Sequence, residues 1–139
     1  MTIRTATLVD IPAIQRVYSS AAAVTANEQN WEKLIQAGGV LIAEVNDEII
    51  GFGGIDLASP EQIKWLYVDP QSQGAGVGTA ILQELERLGW NAGYESLRLH
   101  ANPPAIEFYR KHGYSELRPD EQIGHDHDGL EMIKYLPRL

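Results

Sequence analysis

Three glycines stand at alternate positions, Gly74, Gly76 and Gly78, in the run QGAGVGTA, and the residues that follow, ILQELERLGW, are strong helix formers. Glycine in regular structure is destabilising by roughly 0.5–1 kcal/mol relative to alanine, so three in one loop mark a need for bare backbone. A glycine loop at a helix N-terminus presents N–H groups with no side chains in the way, and the helix end adds partial positive charge. That is the chemistry of a phosphate site. Two common phosphate loops are excluded by particular residues. A nucleoside-triphosphate loop reads GxxxxGK[ST], but Thr79 and Ala80 follow Gly78 here. A dinucleotide fingerprint reads GxGxxG, with an acid at the end of the next strand. The spacing here is GxGxG, and the next strand, LRLHAN, ends without one.

Other residue groups are candidates for chemistry. Tyr109 lies beside Phe108 on an amphipathic helical stretch and reads equally well as a core aromatic or a proton donor. GHDHDG at 124–129 carries His125 and His127, which alternation would put on one side of a strand as metal ligands; lacking a third ligand group at a recognisable spacing, it reads as a solvated loop, and no metal is expected. Trp31, Trp65 and Trp90 fall on apolar faces and read as core. Gly53-Gly54 inside a strand signals a bulge or a close approach by a ligand.

Composition narrows the function classes. The 139 residues suit one domain, 1–139, with a sizeable core. There is no cysteine, which removes disulfides, thiolate metal sites and a cysteine nucleophile. The net charge of −8 with only 11 Lys and Arg argues against a nucleic-acid surface. No apolar run nears the roughly 20 residues of a membrane span, and MTIRTATLVD has no apolar signal core. The expectation is a cytoplasmic protein with no membrane or nucleic-acid partner.

The elements that must position the loop follow from periodicity and punctuation. Residues 2–7 read as a strand. Asp10 is expected to cap a helix carrying Ile11, Ile14, Val17 and Tyr18, with Pro12 in its first turn. Asn27 or Asn30 is expected to cap a short helix through Trp31, Leu34 and Ile35 that ends at Gly38-Gly39. Residues 40–45 and 48–57 form a hairpin about Asn46-Asp47. Residues 62–68 are a strand stopped by Asp69-Pro70. A helix runs from the glycine loop to about Trp90, then a strand at 97–101. Pro103-Pro104 opens a helix through Lys111, ended by Gly113. Residues 114–117 and 131–136 are closing strands. The order β-α-α-β-β-β-α-β-α-β-β implies an α/β (α+β) domain: a mixed, mostly antiparallel sheet with helices on both faces and a central β-α-β crossover whose strands are parallel.

VDPQSQGAGVGTAIL followed by LRLHANPPAIEFYRKHGY resembles the GNAT superfamily of acyl-CoA-dependent N-acyltransferases. Gln73, Gly76 and Gly78 match its phosphate loop, [QR]-x-x-G-x-[GA]. Asn102, Ala105, Phe108, Tyr109, Gly113 and Tyr114 match its second signature, N-x-x-A-x-x-[FL]-Y-x-x-x-G-[FY]. The two motifs occur in order at the right separation. The resemblance implies acetyl-CoA as acyl donor and a primary amine as acceptor, with direct transfer: the amine attacks the thioester carbonyl, an oxyanion develops, and a thiolate leaves. It implies that Leu66, Tyr67 and Val68 offer a backbone edge to the pantetheine arm. The N–H groups of Gln73, Gly74, Ala75, Gly76, Val77, Gly78 and Thr79 wrap the pyrophosphate, and Asn102 orients the pantetheine amides. The Val68 N–H is the candidate oxyanion donor, and the Tyr109 hydroxyl the candidate acid for the thiolate.

Two positions depart from the family pattern. Gln62 stands where some relatives carry a glutamate base. Glu61, Glu28, Glu32, Asp56, His100 and a water chain then all remain open for that role. Ala75 stands where many relatives carry Arg or Lys, so the loop has no cation of its own, and Arg110 or Lys111 is the expected substitute. These departures motivate an alternative, a non-catalytic acyl-CoA-binding regulatory module. Relatives place a histidine and a methionine near the acceptor, which His125 or His127 with Met132 would echo, and many relatives pair as homodimers.

Overall fold

The computed structural model describes residues 1–22, 31–117 and 129–137. The chain forms β1 (Thr2–Thr5), α1 (Ile11–Ala22), α2 (Trp31–Gln36), β2 (Val40–Val45), β3 (Glu48–Ile55), β4 (Ile63–Val68), α3 (Val77–Asn91), β5 (Ser96–Ala101), α4 (Ile106–Lys111), β6 (Ser115–Glu116) and β7 (Leu130–Tyr135). The order of elements is the one expected from the sequence. The strands make one seven-stranded sheet in the order β1-β2-β3-β4-β5-β7-β6. Among its pairings only β4–β5 is parallel.

Alternation along β2 divides the core. Leu41 and Ala43 face α3, with Ile81, Leu82, Leu85, Leu97, Leu99 and Met132. Val40 and Ile42 face the opposite way, with Ile14 and Val17 of α1, Trp31 of α2, and Phe52. Ile81, Leu82 and Leu85 are almost wholly buried, each stabilising by about 1.5–3 kcal/mol relative to exposure. Gly53 is what lets α3 lie so close, because a Cβ there would come within 2.6 Å of Ile81 Cγ2 and 2.9 Å of Leu85 Cδ1. A Cβ at Gly54 would meet the Trp65 ring at 2.3 Å. The close approach foreseen at this pair is therefore made by the protein's own helix and tryptophan. The foreseen bulge lies beside it: the β3–β4 register shifts between Gly54 and Ile55, and the extra residue is Lys64 on β4. Trp31 is buried, whereas Trp65 and Trp90 are half-buried against the core.

The hairpin turn has left-handed φ angles of 51° at Asn46 and 64° at Asp47, the conformation a tight two-residue turn demands. At the N-terminus the cap differs from expectation. Thr7 precedes a 3-10 turn (Leu8–Asp10) that runs straight into α1. The buried Asp10 carboxylate reaches back to accept the Thr7 N–H at 2.8 Å and both Arg4 guanidinium nitrogens at 2.9 and 3.1 Å. The aspartate closes this turn from inside because Arg4, on the neighbouring strand, supplies its counter-charge. The Arg4 hydrogen bonds hold its carboxyl below the usual aspartate value of 3.8. A depressed carboxyl contributes stability that is present above that value and is lost as pH falls through the lower folded one. Asp10→Asn is thus expected to cost about 1–2 kcal/mol at pH 7, with the solvent exposure of Arg4 screening the pair. The deficit should shrink below pH 4; urea titrations of both proteins at pH 7 and pH 3 check it.

No helix among the described residues is long and apolar enough to cross a membrane. Asn27, Asn30 and Glu28, and His125 and His127 of GHDHDG, lie outside the described residues.

Candidate active site

β4 and β5 are paired in parallel register at Ile63 and Leu99 alone. Beyond that point they separate. The Asp69 N–H donates to the Ile50 carbonyl of β3 at 2.8 Å, and in an antiparallel ladder alternate residues turn their N–H and C=O to opposite sides. Val68 and Leu66 therefore present backbone groups away from β3, into the gap. Tyr67 is paired with Phe52 and its backbone belongs to that ladder; what it brings to the gap is its ring. The Gln73 side-chain amide donates to the Val68 carbonyl at 3.1 Å, on the same side, bracing the strand end against the loop.

The gap opens into a cleft of about 720 Å³. Leu66, Tyr67 and Val68 form one wall, and Asn102, Phe108 and Tyr109 the other. Gln73, Gly74, Gly76, Val77, Gly78 and Thr79 form the end, and Ala21 and Ala22 of α1 close it from the far side. Of the strand, loop and motif residues expected to hold the ligand, Ala75 alone is absent from the lining and is exposed. Gly74 and Gly76 have left-handed φ values of 86° and 81°, a conformation that favours glycine, and a Cβ at either would meet nothing within 4 Å. These glycines serve conformation. Gly78 is helical and serves space: a Cβ there would rest 3.4 Å from the Phe108 ring and 3.7 Å from Val68. The first helical bond of α3 runs from the Ala80 N–H to Gly76. The N–H groups of residues 73–79 have no acceptor among the described residues. A bare N–H cradle, a positive helix end and a free strand edge are the fittings of a ligand with an amide-bearing arm and an anionic end.

Asn102 precedes the 3-10 turn Pro103–Ala105, yet its side chain makes no cap hydrogen bond and lines the cleft instead. Tyr109 is buried, edge-on to Phe108 and Tyr114 at ring separations of 5.3 and 5.6 Å. Burial, with the neighbouring Tyr67 as second cause, pushes its hydroxyl above the usual phenol range, so it remains a protonated donor. The motif residue Tyr114 donates to Glu86 of α3 at 2.9 Å, and Glu86 also pairs with Lys134 of β7 at 3.1 Å; this ties the chain after α4 to α3 and β7.

The candidate bases separate on geometry. The Gln62 side-chain oxygen accepts the Arg98 N–H at 2.9 Å, extending the β4–β5 junction, so this amide is structural. Glu32 is exposed, and Asp56 caps its own turn through the Ala58 N–H at 3.0 Å. Of the described candidates, His100 reaches a cavity: a small one of about 80 Å³ beside the cleft, shared with Trp65, Tyr67, Asn102 and Tyr109. Arg110 is drawn to Glu107 and Glu116 on the exposed side of α4, and neither it nor Lys111 lines the cleft. His112 does. Sequence reasoning missed it; the signal was its place one turn after Phe108, on the same helical face. Among the described residues no group of three His, Asp or Glu could hold a metal ion.

Residues 36–116 match the family model described as an acetyltransferase (GNAT) domain. An uncharacterized N-acetyltransferase of Methanocaldococcus jannaschii is 29% identical over 97 residues, which is 62% of this chain and 43% of that one. An uncharacterized N-acetyltransferase of Bacillus subtilis is 36% identical over 62 residues, 45% of this chain and 44% of that one. This chain spans less than half the length of these curated relatives. The fold is similar to that of N-acetylglutamate synthase from Neisseria gonorrhoeae, solved with coenzyme A and N-acetyl-glutamate. The TM-score is 0.80 at 20% identity, over 99% of this chain and 35% of that one.

Proposed function

The chain belongs to the GNAT acetyltransferase family, and on that basis we propose that it is an N-acetyltransferase moving an acetyl group from acetyl-CoA to a primary amine. The observation that carries the reading is the divergence of β4 from β5 directly onto the N–H cradle of α3. Acetyl-CoA supplies the activated acyl group. In this reading the free edge at Leu66 and Val68, with Asn102, binds the pantetheine amides. Residues 73–79 bind the pyrophosphate through N–H groups, Ala75 included through its backbone. The outward N–H of Val68 donates to the acyl oxygen as negative charge grows there. Tyr109 holds a proton for the departing sulfur, and His100 takes the proton of the amine. Bound N-acetyl-glutamate in the gonococcal neighbour supports an amine-bearing acceptor of small size. A cytoplasmic location and a homodimer complete the proposal, both resting on the sequence and the family resemblance.

Thermal unfolding with acetyl-CoA, ATP or NAD tests the donor. A ligand that binds only the native state stabilises it by about 2.7 kcal/mol at 100 times its dissociation constant. A shift with acetyl-CoA alone is expected, followed by release of free CoA when amines are added. A shift without turnover across a broad amine panel would leave a binding module, and no shift at millimolar acetyl-CoA would remove the proposal.

A further inference from the structure

We propose that His112 sets the direction of the Thr79 hydroxyl and thereby couples binding of the acyl-CoA pyrophosphate to uptake of one proton. The inference rests on the reading of the glycine loop as a pyrophosphate cradle. It starts from two hydrogen bonds. His112 Nδ1 lies 2.7 Å from the Phe108 carbonyl, and a carbonyl only accepts, so Nδ1 carries a proton. His112 Nε2 lies 2.9 Å from Thr79 Oγ1. The ring is held in place by Phe108, whose centroid is 4.4 Å away at 35°.

The protonation state of Nε2 then decides what Thr79 shows the cleft. In the neutral ring Nε2 is an acceptor, so the hydroxyl proton must point at it. The Thr79 oxygen is left with lone pairs toward the cradle, where a phosphate oxygen would also bring lone pairs. In the charged ring Nε2–H donates to Oγ1, and the hydroxyl proton is released to donate into the cradle. One proton thus converts Thr79 from acceptor to donor and adds a positive charge beside the loop. Histidine is the side chain that ordinarily changes charge between pH 5 and 8.

The surroundings favour coupling. Among the described residues lining the cleft, His112 is the side chain able to become a cation; Ala75 is neutral and Arg110 is engaged by Glu107 and Glu116. A bound phosphate would add negative charge beside the ring, and an opposite charge nearby favours the imidazolium. The ionisable groups of α4 are Glu107, Tyr109, Arg110 and Lys111, those of α3 are Glu84, Glu86 and Arg87, and those of β7 are Glu131, Lys134 and Tyr135. Glu84 is paired with Arg87, and Glu86 with Lys134 and Tyr114. His112 thus takes the part of the cation missing at Ala75, present when the ligand is.

The probe is dephospho-CoA, which keeps the pyrophosphate and lacks the 3′-phosphomonoester that would itself titrate near pH 6. Calorimetric titration from pH 5.5 to 8, in buffers of different ionisation enthalpy, reads both Kd and protons taken up. For the wild type, Kd should rise with pH, by up to about tenfold per pH unit, the ceiling for one coupled proton. Uptake should be positive, with one proton as its ceiling. His112→Gln should bind with a flat pH profile and no uptake, with His112→Asn as a second variant should the first fold poorly. Pantetheine, which has no phosphate, should show no pH dependence with any of them. A pH-independent wild type, or variants with the same proton uptake as the wild type, would overturn the coupling while the cradle stands. No binding of dephospho-CoA at any pH would overturn cradle and coupling together.

Discussion

Tyr109→Phe is expected to lower kcat by about 10²- to 10³-fold while leaving the melting temperature within a few degrees of the wild type. The substitution removes one oxygen and keeps the ring, so the packing against Phe108 and Tyr114 survives. In the proposed role what is lost is the proton for the leaving sulfur, and a positioned general acid contributes typically 10²–10⁴-fold. The KM for acetyl-CoA should change little, because the proposed pyrophosphate and pantetheine contacts lie elsewhere in the cleft. The buried hydroxyl, held above the usual phenol range, stays protonated across neutral and mildly alkaline pH. The kcat of the wild type should therefore not decline as pH rises through the ordinary tyrosine value of 10.0. The same shift has a stability consequence. A raised folded value contributes stability that is complete below the ordinary value and is lost as pH rises toward the folded one. Tyr109→Phe lacks that alkaline loss. Measurement of CoA release against pH, with melts in parallel, reads both. A variant retaining a third or more of the wild-type kcat would make Tyr109 a packing residue.

The second large effect is expected at the loop. Gly76→Ala places a side chain at φ 81°, where an L-residue costs roughly 1–2 kcal/mol, although the Cβ itself would touch nothing within 4 Å. The backbone relieves that cost by rotating, and rotation turns the Val77 and Gly78 N–H groups off their common target. Hydrogen bonds to charged groups are worth about 1.5–3 kcal/mol each, so losing one should raise the Kd for acetyl-CoA by roughly 10- to 100-fold. Gly93→Ala is the matched control. It also has left-handed φ, 92°, with nothing within 4 Å, but it lies after the far end of α3. It should lose similar stability and bind acetyl-CoA like the wild type. Equal Kd values for the two variants would mean that the loop conformation is not what holds the ligand.

Much of this molecule was readable before its fold was known, and the reasons are local. Val40–Val45 and the left-handed turn at Asn46-Asp47 follow from β-branched runs and turn-forming residues. The amphipathic period of α3 and the glycines before it announce a helix with an exposed N-terminus. Such signals act over a few residues, so the sequence carried the element order and the glycine loop at the start of α3. Long-range pairing decided the rest. That β7 enters between β5 and β6, and that β4 and β5 touch at one register pair and then part, depends on residues distant in the chain. The bulge at Lys64 sets which residues of β4 face α3 and which face α1, because one residue's shift turns every following side chain to the other face. The alternation of the β3–β4 ladder makes Leu66 and Val68, and not Tyr67, the residues with free backbone. Gln62 reads as a replaced catalytic base until the Arg98 N–H is found on its oxygen. His112 reads as one more polar residue at the end of α4 until α3 brings Thr79 to its ring. Sequence by itself determined which groups were available; tertiary structure decided which had hydrogen bonds left to offer, because a donor's freedom depends on what has already packed against it.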